Sequence, residues 1–293
     1  MKDHRLPDGR AVQARILEDI RNKVETFAVA GKSVGKLVSI SIGDVPEVDV
    51  YIRNPARASG KCGIPFEKLS WPADITQAQS KAALTGLNDD QSIVGVILQR
   101  PVPGHIHLRS LQSAIHPLKD VEGMNPASIG NIVYNDVALA PCTAAAAVEL
   151  IRETGLDMKG LEVVMIGHSE IVGKPAAMML MAEGATVTVC HHMTRSIAMH
   201  SRRADVVVVA VGKPGLVGPD MVRPGAAVID IGINQITGKD GKVSIVGDAD
   251  TDAVKEVASW ITPVPGGVGP VTTAILMRNA AVAHQRQLDA GWL

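Results

Sequence analysis

Between Arg10 and Ala30, apolar residues fall at every fourth position (Val12, Ile16, Ile20, Val24), the spacing of one helix face, and Gly31 follows as a stop signal. The pattern then shortens. Leu37 to Ile42 is an apolar, β-branched run that predicts a strand, as do Ile64 to Leu69 and, most clearly, Ile93 to Leu98. Helices are predicted between them, through Tyr51 to a stop at Gly63 and over Gln77 to Leu87. Leu108 to His116 reads as a short helix, Pro117 to Gly123 as a polar loop, and Asn125 to Ala140 as irregular. An alanine-rich helix from Ala144 to Thr154, with Thr143 as its cap, links this half to the next.

The second half alternates more regularly. Strands are predicted at Glu162–Ile166, Thr186–Cys190, Ala204–Ala210 and Ala226–Ile231, a helix at Ala176–Glu183, and glycines stand at strand ends (Gly167, Gly212, Gly232). Alternating strand and helix implies a parallel α/β sheet, and glycine turns at strand ends are the pattern of a dinucleotide-binding one. Thr262 to Pro270 then packs three prolines and three glycines into nine residues, ahead of a last helix from Val271 to Leu288. Glycine lets backbone approach a ligand closely, while proline stiffens the loop.

The chain's 293 residues allow two domains, and its 46% hydrophobic and 20% charged residues are ordinary for a globular protein. A formal net charge of -1 provides no basic field for nucleic acid, and 2% aromatics argue against stacking platforms for single strands. The N-terminus is charged without an apolar core, and no run of about 18 apolar residues exists, so neither a signal peptide nor a membrane span is expected. Three widely spaced cysteines, Cys62, Cys142 and Cys190, fit reduced thiols in a cytoplasmic protein. His105, His107 and His116 lack tight ligand spacing, so no metal is expected.

Chemistry concentrates at two places. Gly43 to Ile64 follows a predicted strand, outside whose carboxyl end α/β sheets bind ligands, and carries Tyr51, Arg53, Arg57 and Lys61. Pro55 stands within its helix, where an interior proline costs roughly 3 kcal/mol, so the helix is expected to start or kink at Asn54-Pro55. The second place is Gly167 to Pro175. It departs from Gly-x-Gly-x-x-Gly, yet a glycine turn between strand and helix presents backbone N–H groups to phosphate. At the end of the next strand, where an acid usually holds the ribose of NAD, stand His191 and His192 with Arg195 nearby; the missing acid leans the reading to NADP. Taken singly, Asp120 reads as a surface or capping carboxylate, Gln99 as unremarkable, Met178, Met179 and Met181 as packing, and Cys142 as a buried thiol.

Taken together, these pieces resemble one family. Tyr51, Gln99-Arg-Pro-Val-Pro103, Lys119-Asp-Val-Glu-Gly123, Pro141-Cys-Thr143, Gly167-His-Ser-Glu-Ile-Val-Gly-Lys-Pro175 and Thr262-Pro-Val-Pro-Gly-Gly-Val-Gly-Pro270 occur in the order found in the methylenetetrahydrofolate dehydrogenase/methenyltetrahydrofolate cyclohydrolase family. The resemblance covers nearly the whole chain. It implies two α/β domains with a cleft between them, the second a Rossmann-like parallel sheet. Residues 1–140, completed by the C-terminal helix 271–293, would hold folate, and residues 141–270 would hold NAD(P). It also implies an oxidoreductase, commonly a homodimer, that passes a hydride from the one-carbon bridge of methylenetetrahydrofolate to nicotinamide. By position, Tyr51, Gln99 and Asp120 are the catalytic candidates, and Tyr51, Asp120, Pro265, Gly266 and Gly267 would touch folate. Gly167, His168, Ser169, Ile171, Val172, His191, His192, Gly212 and Ile233 would line the coenzyme site.

The chain departs from that family where the hydrolytic step is assigned. The family's lysine, four residues after the tyrosine, is Pro55 here, and its serine, three before, is Val48. Neither side chain can donate or carry a proton. The coenzyme turn departs too, with Gly167-His168-Ser169 for Gly-Arg-Ser and His192 for a serine. The expectation is a dehydrogenase using NADP, with NAD the alternative, whose cyclohydrolase is weak or lost. Two other readings are a bifunctional enzyme using Arg57 or Lys61, and a folate-binding paralogue without turnover.

Overall fold

A computed structural model describes residues 8–44, 46–238 and 241–292, without the side chains of 46–51. The chain divides into two compact units, one of Ala14–Cys142 with Thr273–Leu293, the other of Met1–Gln13 with Thr143–Thr272. Helix α1 (Gly9–Val29) buries Val12, Ile16, Ile20 and Val24, the stripe its spacing predicts, together with Leu17 and Phe27. Strand β1 (Lys36–Ile42), helix α2 (Pro46–Cys62), strand β2 (Phe66–Trp71), helix α3 (Gln77–Asp89) and strand β3 (Ile93–Leu98) follow. The three strands form a parallel sheet in the order β2-β1-β3. Val38, Ile40 and Ile42 pack on one face with Leu84 of α3 and with Val96 and Leu98. On the other face Ser39 and Ser41 of β1 lie opposite Lys68 and Ser70 of β2. A capping box starts α3, Thr76 and Gln79 each accepting the other's backbone N–H.

Two expectations fail in this unit. Helix α2 neither starts nor restarts at Asn54-Pro55; it begins at Pro46 and runs through Pro55. Proline at the first helical position needs no hydrogen-bond partner, so Pro46 can open the helix. Ile52, Ala58, Ser59 and Cys62 are buried along it, and that packing offsets the interior proline. Nor is Asn125–Ala140 irregular throughout. After the short helix α4 (Leu108–Gln112) and a 3₁₀ turn (Pro117–Lys119), the Asn125 side chain caps α5 (Pro126–Val133), accepting from the Ala127 N–H at 2.7 Å. A helix of two turns is too short to show periodicity, and only its cap and Pro126 mark it.

In the other unit, α6 (Cys142–Glu153) starts at Cys142, so Thr143 lies inside its first turn and is not the cap. Then come β4 (Glu162–Ile166), α7 (Gly173–Ala182), β5 (Thr186–Cys190), α8 (Ile197–Ser201), β6 (Val206–Val209), β7 (Ala227–Asp230), the hairpin β8 (Asn234–Thr237) and β9 (Val243–Val246), α9 (Thr251–Val254) and β10 (Trp260–Ile261). The parallel sheet has the order β10-β7-β6-β4-β5. Strand order therefore reverses beside β4, which makes its carboxyl end the topological switch point. Of the α7 methionines only Met179 is packed; Met178 and Met181 are 41% and 46% exposed, because α7 lies on the sheet and turns one side to solvent.

The last helix, α10 (Val268–Asp289), carries buried polar residues that bind the first unit's backbone. The Asn279 amide donates to the carbonyls of Val121 and Ala140 at 2.9 and 3.0 Å. The Gln287 amide donates to those of Val94 and Leu118, both at 2.8 Å. No helix among the described residues is long and apolar enough to cross a membrane. Replacing Asn279 by leucine would remove the amide donor from both carbonyls, leaving Val121 only the weak Cys142 thiol at 3.4 Å. Asn279→Leu is expected to lower stability by about 3 kcal/mol, measured by urea denaturation, with the native circular dichroism retained.

Candidate functional site

At the carboxyl end of β3, Gln99 donates its backbone N–H to Ile40 O at 2.8 Å and its amide to the buried Ser39 hydroxyl at 2.9 Å. Strand register sets Lys68 opposite Ser39. Lys68 and Ser39 are thus direct register partners, while Gln99, two residues past Ser39's β3 partner Ile97, reaches the same serine diagonally. Beside them Ser41, Gly43, Asp44, Lys68, Ser70 and Trp71 line a pocket of about 520 Å³. Tyr51 and Val48 lie on α2, but their side chains fall outside the described part.

Asp120 is not the surface carboxylate its isolated reading suggests; it is 1% exposed. It accepts from the N–H groups of Met124 and Asn125 at 3.0 and 2.7 Å and from the Ser128 hydroxyl at 2.7 Å. Three of a carboxylate's roughly four acceptor positions are thereby filled. Burial still pushes its pKa up, against those donors. Lys119 is also buried, donating to the carbonyls of Leu87 and Asp90 at 2.9 and 2.7 Å. The segment reads as a polar loop from its composition but folds inward, because every one of these polar groups meets backbone there. Glu122, unremarked in the sequence, accepts from the Leu98 N–H at 2.9 Å, and burial pushes its pKa up to about 7. Burial raises the Cys142 thiol as well, which keeps it protonated and poorly nucleophilic.

In the five-stranded unit, the coenzyme candidates all follow the carboxyl ends of adjacent strands: Gly167 to Val172 after β4, His191 and His192 after β5, Gly212 after β6 and Ile233 after β7. Gly167 has φ +116°, and a Cβ on Gly173 would stand 2.2 Å from the Gly167 carbonyl oxygen, so this turn closes only with glycine at both places. The Ser169 hydroxyl oxygen accepts from the N–H groups of Val172 and Gly173 at 3.3 and 3.4 Å, at the start of α7. Ile233 is 68% exposed. Pro265, Gly266 and Gly267 lie in this same unit, between β10 and α10, and Gly9 sits against them: its Cβ would be 1.9 Å from the Gly267 carbonyl oxygen.

Two buried acids hold these loops and were not picked out from the sequence. Asp248 accepts from the N–H groups of Val211, Gly212 and Lys213 at 2.6, 3.0 and 2.7 Å, and from the Asn234 amide at 2.8 Å. Asp230 accepts from Gly232, Asp248 and Ala249 N–H groups at 2.9, 3.0 and 2.8 Å, and burial pushes its pKa to about 6. The only sequence signal is an acid at a strand end beside glycine.

A five-stranded parallel sheet with a reversal point, a glycine turn into a helix and loops gathered at one edge defines a two-domain α/β protein of the dinucleotide-binding class. Residues 8–122 match the family model described as tetrahydrofolate dehydrogenase/cyclohydrolase, catalytic domain, and residues 141–288 match its NAD(P)-binding domain. The chain is 73% identical over 292 residues to the bifunctional protein FolD 3 of Roseobacter denitrificans, covering 100% of this chain and 99% of that one. Among solved structures it is similar to the bifunctional FolD of Campylobacter jejuni, at 37% identity and TM-score 0.89, covering 96% and 98% of the two chains. It is similar also to the FolD of Trypanosoma brucei solved with NADP cofactor and inhibitor, at 34% identity and TM-score 0.89, covering 98% and 99%. The chain belongs to the tetrahydrofolate dehydrogenase/cyclohydrolase family.

The raised Glu122 gives a pH signature. Its folded pKa, about 7, exceeds the ordinary 4.5, so the folded state holds this proton more tightly than the unfolded chain. Its contribution to stability is complete below pH 4.5 and is lost as pH rises through about 7. Glu122→Gln keeps an acceptor for Leu98 and removes the titration. The variant is expected to match the parent below pH 4.5 and to gain on it up to pH 7, by about 3 kcal/mol at the plateau, read from urea midpoints across pH.

Proposed function

We propose that this protein is an NADP-dependent methylenetetrahydrofolate dehydrogenase whose cyclohydrolase step is weakened. The observation that carries the reading is the ring of loops after β4, β5, β6 and β7, on a chain whose two halves match the two domains of one family. NADP lies along that edge, with its pyrophosphate at the Gly167 turn and the start of α7, where backbone N–H groups and the helix dipole favour an anion. Folate is held by residues 1–140 completed by the C-terminal helix 271–293, with Tyr51, Gln99 and Asp120 about the reacting centre. A hydride leaves the one-carbon bridge for the nicotinamide, and the methenyl cation that remains is shared by two folate nitrogens. The protein's task is alignment and charge placement. The enzyme is a cytoplasmic homodimer.

Hydrolysis of that cation needs an activated water and a group that exchanges protons. Pro55 and Val48 supply neither, where the family carries a lysine and a serine. One set of observations favours a second reading, in which hydrolysis persists. The relative at 73% identity is named bifunctional, and an amine stands near Gln99 on β2, as Lys68, in one row with Ser39. Arg57 and Lys61 lie on the exposed side of α2.

Purified protein should convert methylenetetrahydrofolate to the methenyl form with NADP⁺, seen as rising methenyl absorbance, and should hydrolyse added methenyltetrahydrofolate little faster than buffer. Pro55→Lys is expected to raise hydrolysis by roughly tenfold or more while leaving the dehydrogenase in place. The second reading requires the reverse: rapid hydrolysis by the parent, a loss of roughly tenfold or more in Lys68→Gln, and no response to Pro55→Lys. Failure to reduce either nicotinamide coenzyme would refute the dehydrogenase itself.

A further inference from the structure

Three histidines at the edge of the five-stranded sheet form a cluster that the sequence scatters over two loops. Ile166 of β4 and Cys190 of β5 are paired in register, and the chain leaves the sheet in step on both strands, so His168 and His192 each stand two residues past the pair with His191 between them and the strand. One ring nitrogen from each of the three lies within 4.8 Å of the others. His168 stacks on His191 with centroids 4.5 Å apart, and His192 lies 6.1 and 5.9 Å from the two. His168 and His192 are exposed and His191 is half-buried.

Protonated imidazoles so close together repel one another, and a fixed cation, Lys174, acts on the same group. Loss of ring hydration, then His191, Lys174 and His192, hold His168 below the usual histidine range. Three ring nitrogens gathered within 4.8 Å can turn their lone pairs on one centre, an arrangement that suits a metal ion better than an anion. Three histidine nitrogens with an open fourth position are the donor set of a zinc-type site. Zn–N bonds of about 2.0–2.1 Å place the ligand nitrogens about 3.3 Å apart, so closure asks for a contraction of about 1.5 Å at most, within reach of side-chain rotation at exposed residues. One local bond opposes it: the His191 Nδ1 accepts from the Met193 N–H at 3.2 Å, and ligation through Nε2 moves the ring proton to Nδ1 and gives that bond up.

We propose that His168, His191 and His192 form a binding site for a divalent transition ion of the zinc class, with the fourth coordination position open to water or an oxygen donor. This stands independently of which folate reactions the protein performs. The ion sits among the residues expected to receive the coenzyme, and it delivers positive charge there without protonating any imidazole.

The test is titration of chelator-treated, tag-free protein with Co²⁺ alone and, by calorimetry, with Zn²⁺ alone. One equivalent of Co²⁺ is expected to produce intense visible bands of four- or five-coordinate geometry, which one equivalent of Zn²⁺ abolishes. His168→Ala and His192→Ala should each weaken binding by roughly tenfold or more, with circular dichroism unchanged because both rings are exposed. His107→Ala, in the other unit, should change nothing. Absence of stoichiometric binding, or equal affinity in the His168→Ala/His192→Ala double variant, would overturn the proposal.

Discussion

Backbone N–H groups at strand ends and in loops must find acceptors, and in this protein buried and half-buried carboxylates provide them. In one unit Asp248 gathers the three N–H groups of Val211, Gly212 and Lys213, and Asp230 gathers those of Gly232, Asp248 and Ala249. In the other, Asp120 takes those of Met124 and Asn125, and Glu122 takes that of Leu98. Hydrogen bonds to an ionised acceptor are the stronger kind, and an unpaired buried N–H is costly, so these acids determine the loops' shapes. Raised pKa values at Asp120, Glu122 and Asp230 show that burial outweighs the donors at each place.

The candidate sites inherit their geometry from this arrangement. Gly212 and Ile233 are placed by loops tied to Asp248 and Asp230, and the Gly167 turn is closed by glycine at positions 167 and 173. Helix α10 does the same for the smaller sheet with neutral amides, Asn279 and Gln287 meeting carbonyls that no strand satisfies. Family membership joins these frames to folate and nicotinamide chemistry.

Much of this was legible in the chain. The α1 stripe, β3 and β4 follow from apolar spacing alone, because each buries one face or both and its period records that burial. The glycine turn and the ordered motifs carry the family. What local pattern missed was α5, marked by a cap rather than a period, the β8–β9 hairpin, whose residues are mostly exposed, and the unbroken course of α2 through Pro55.

Sequence by itself determined the class of fold, the family and the absence of a lysine at position 55, since these depend on residue type and order. Only tertiary structure decided that Lys119 and Asp120 turn inward, that Lys68 and Gln99 both converge on Ser39, and that His168 meets His191 and His192. Each of those facts depends on which strands become neighbours and in what register, and strand pairing joins residues that local spacing cannot relate.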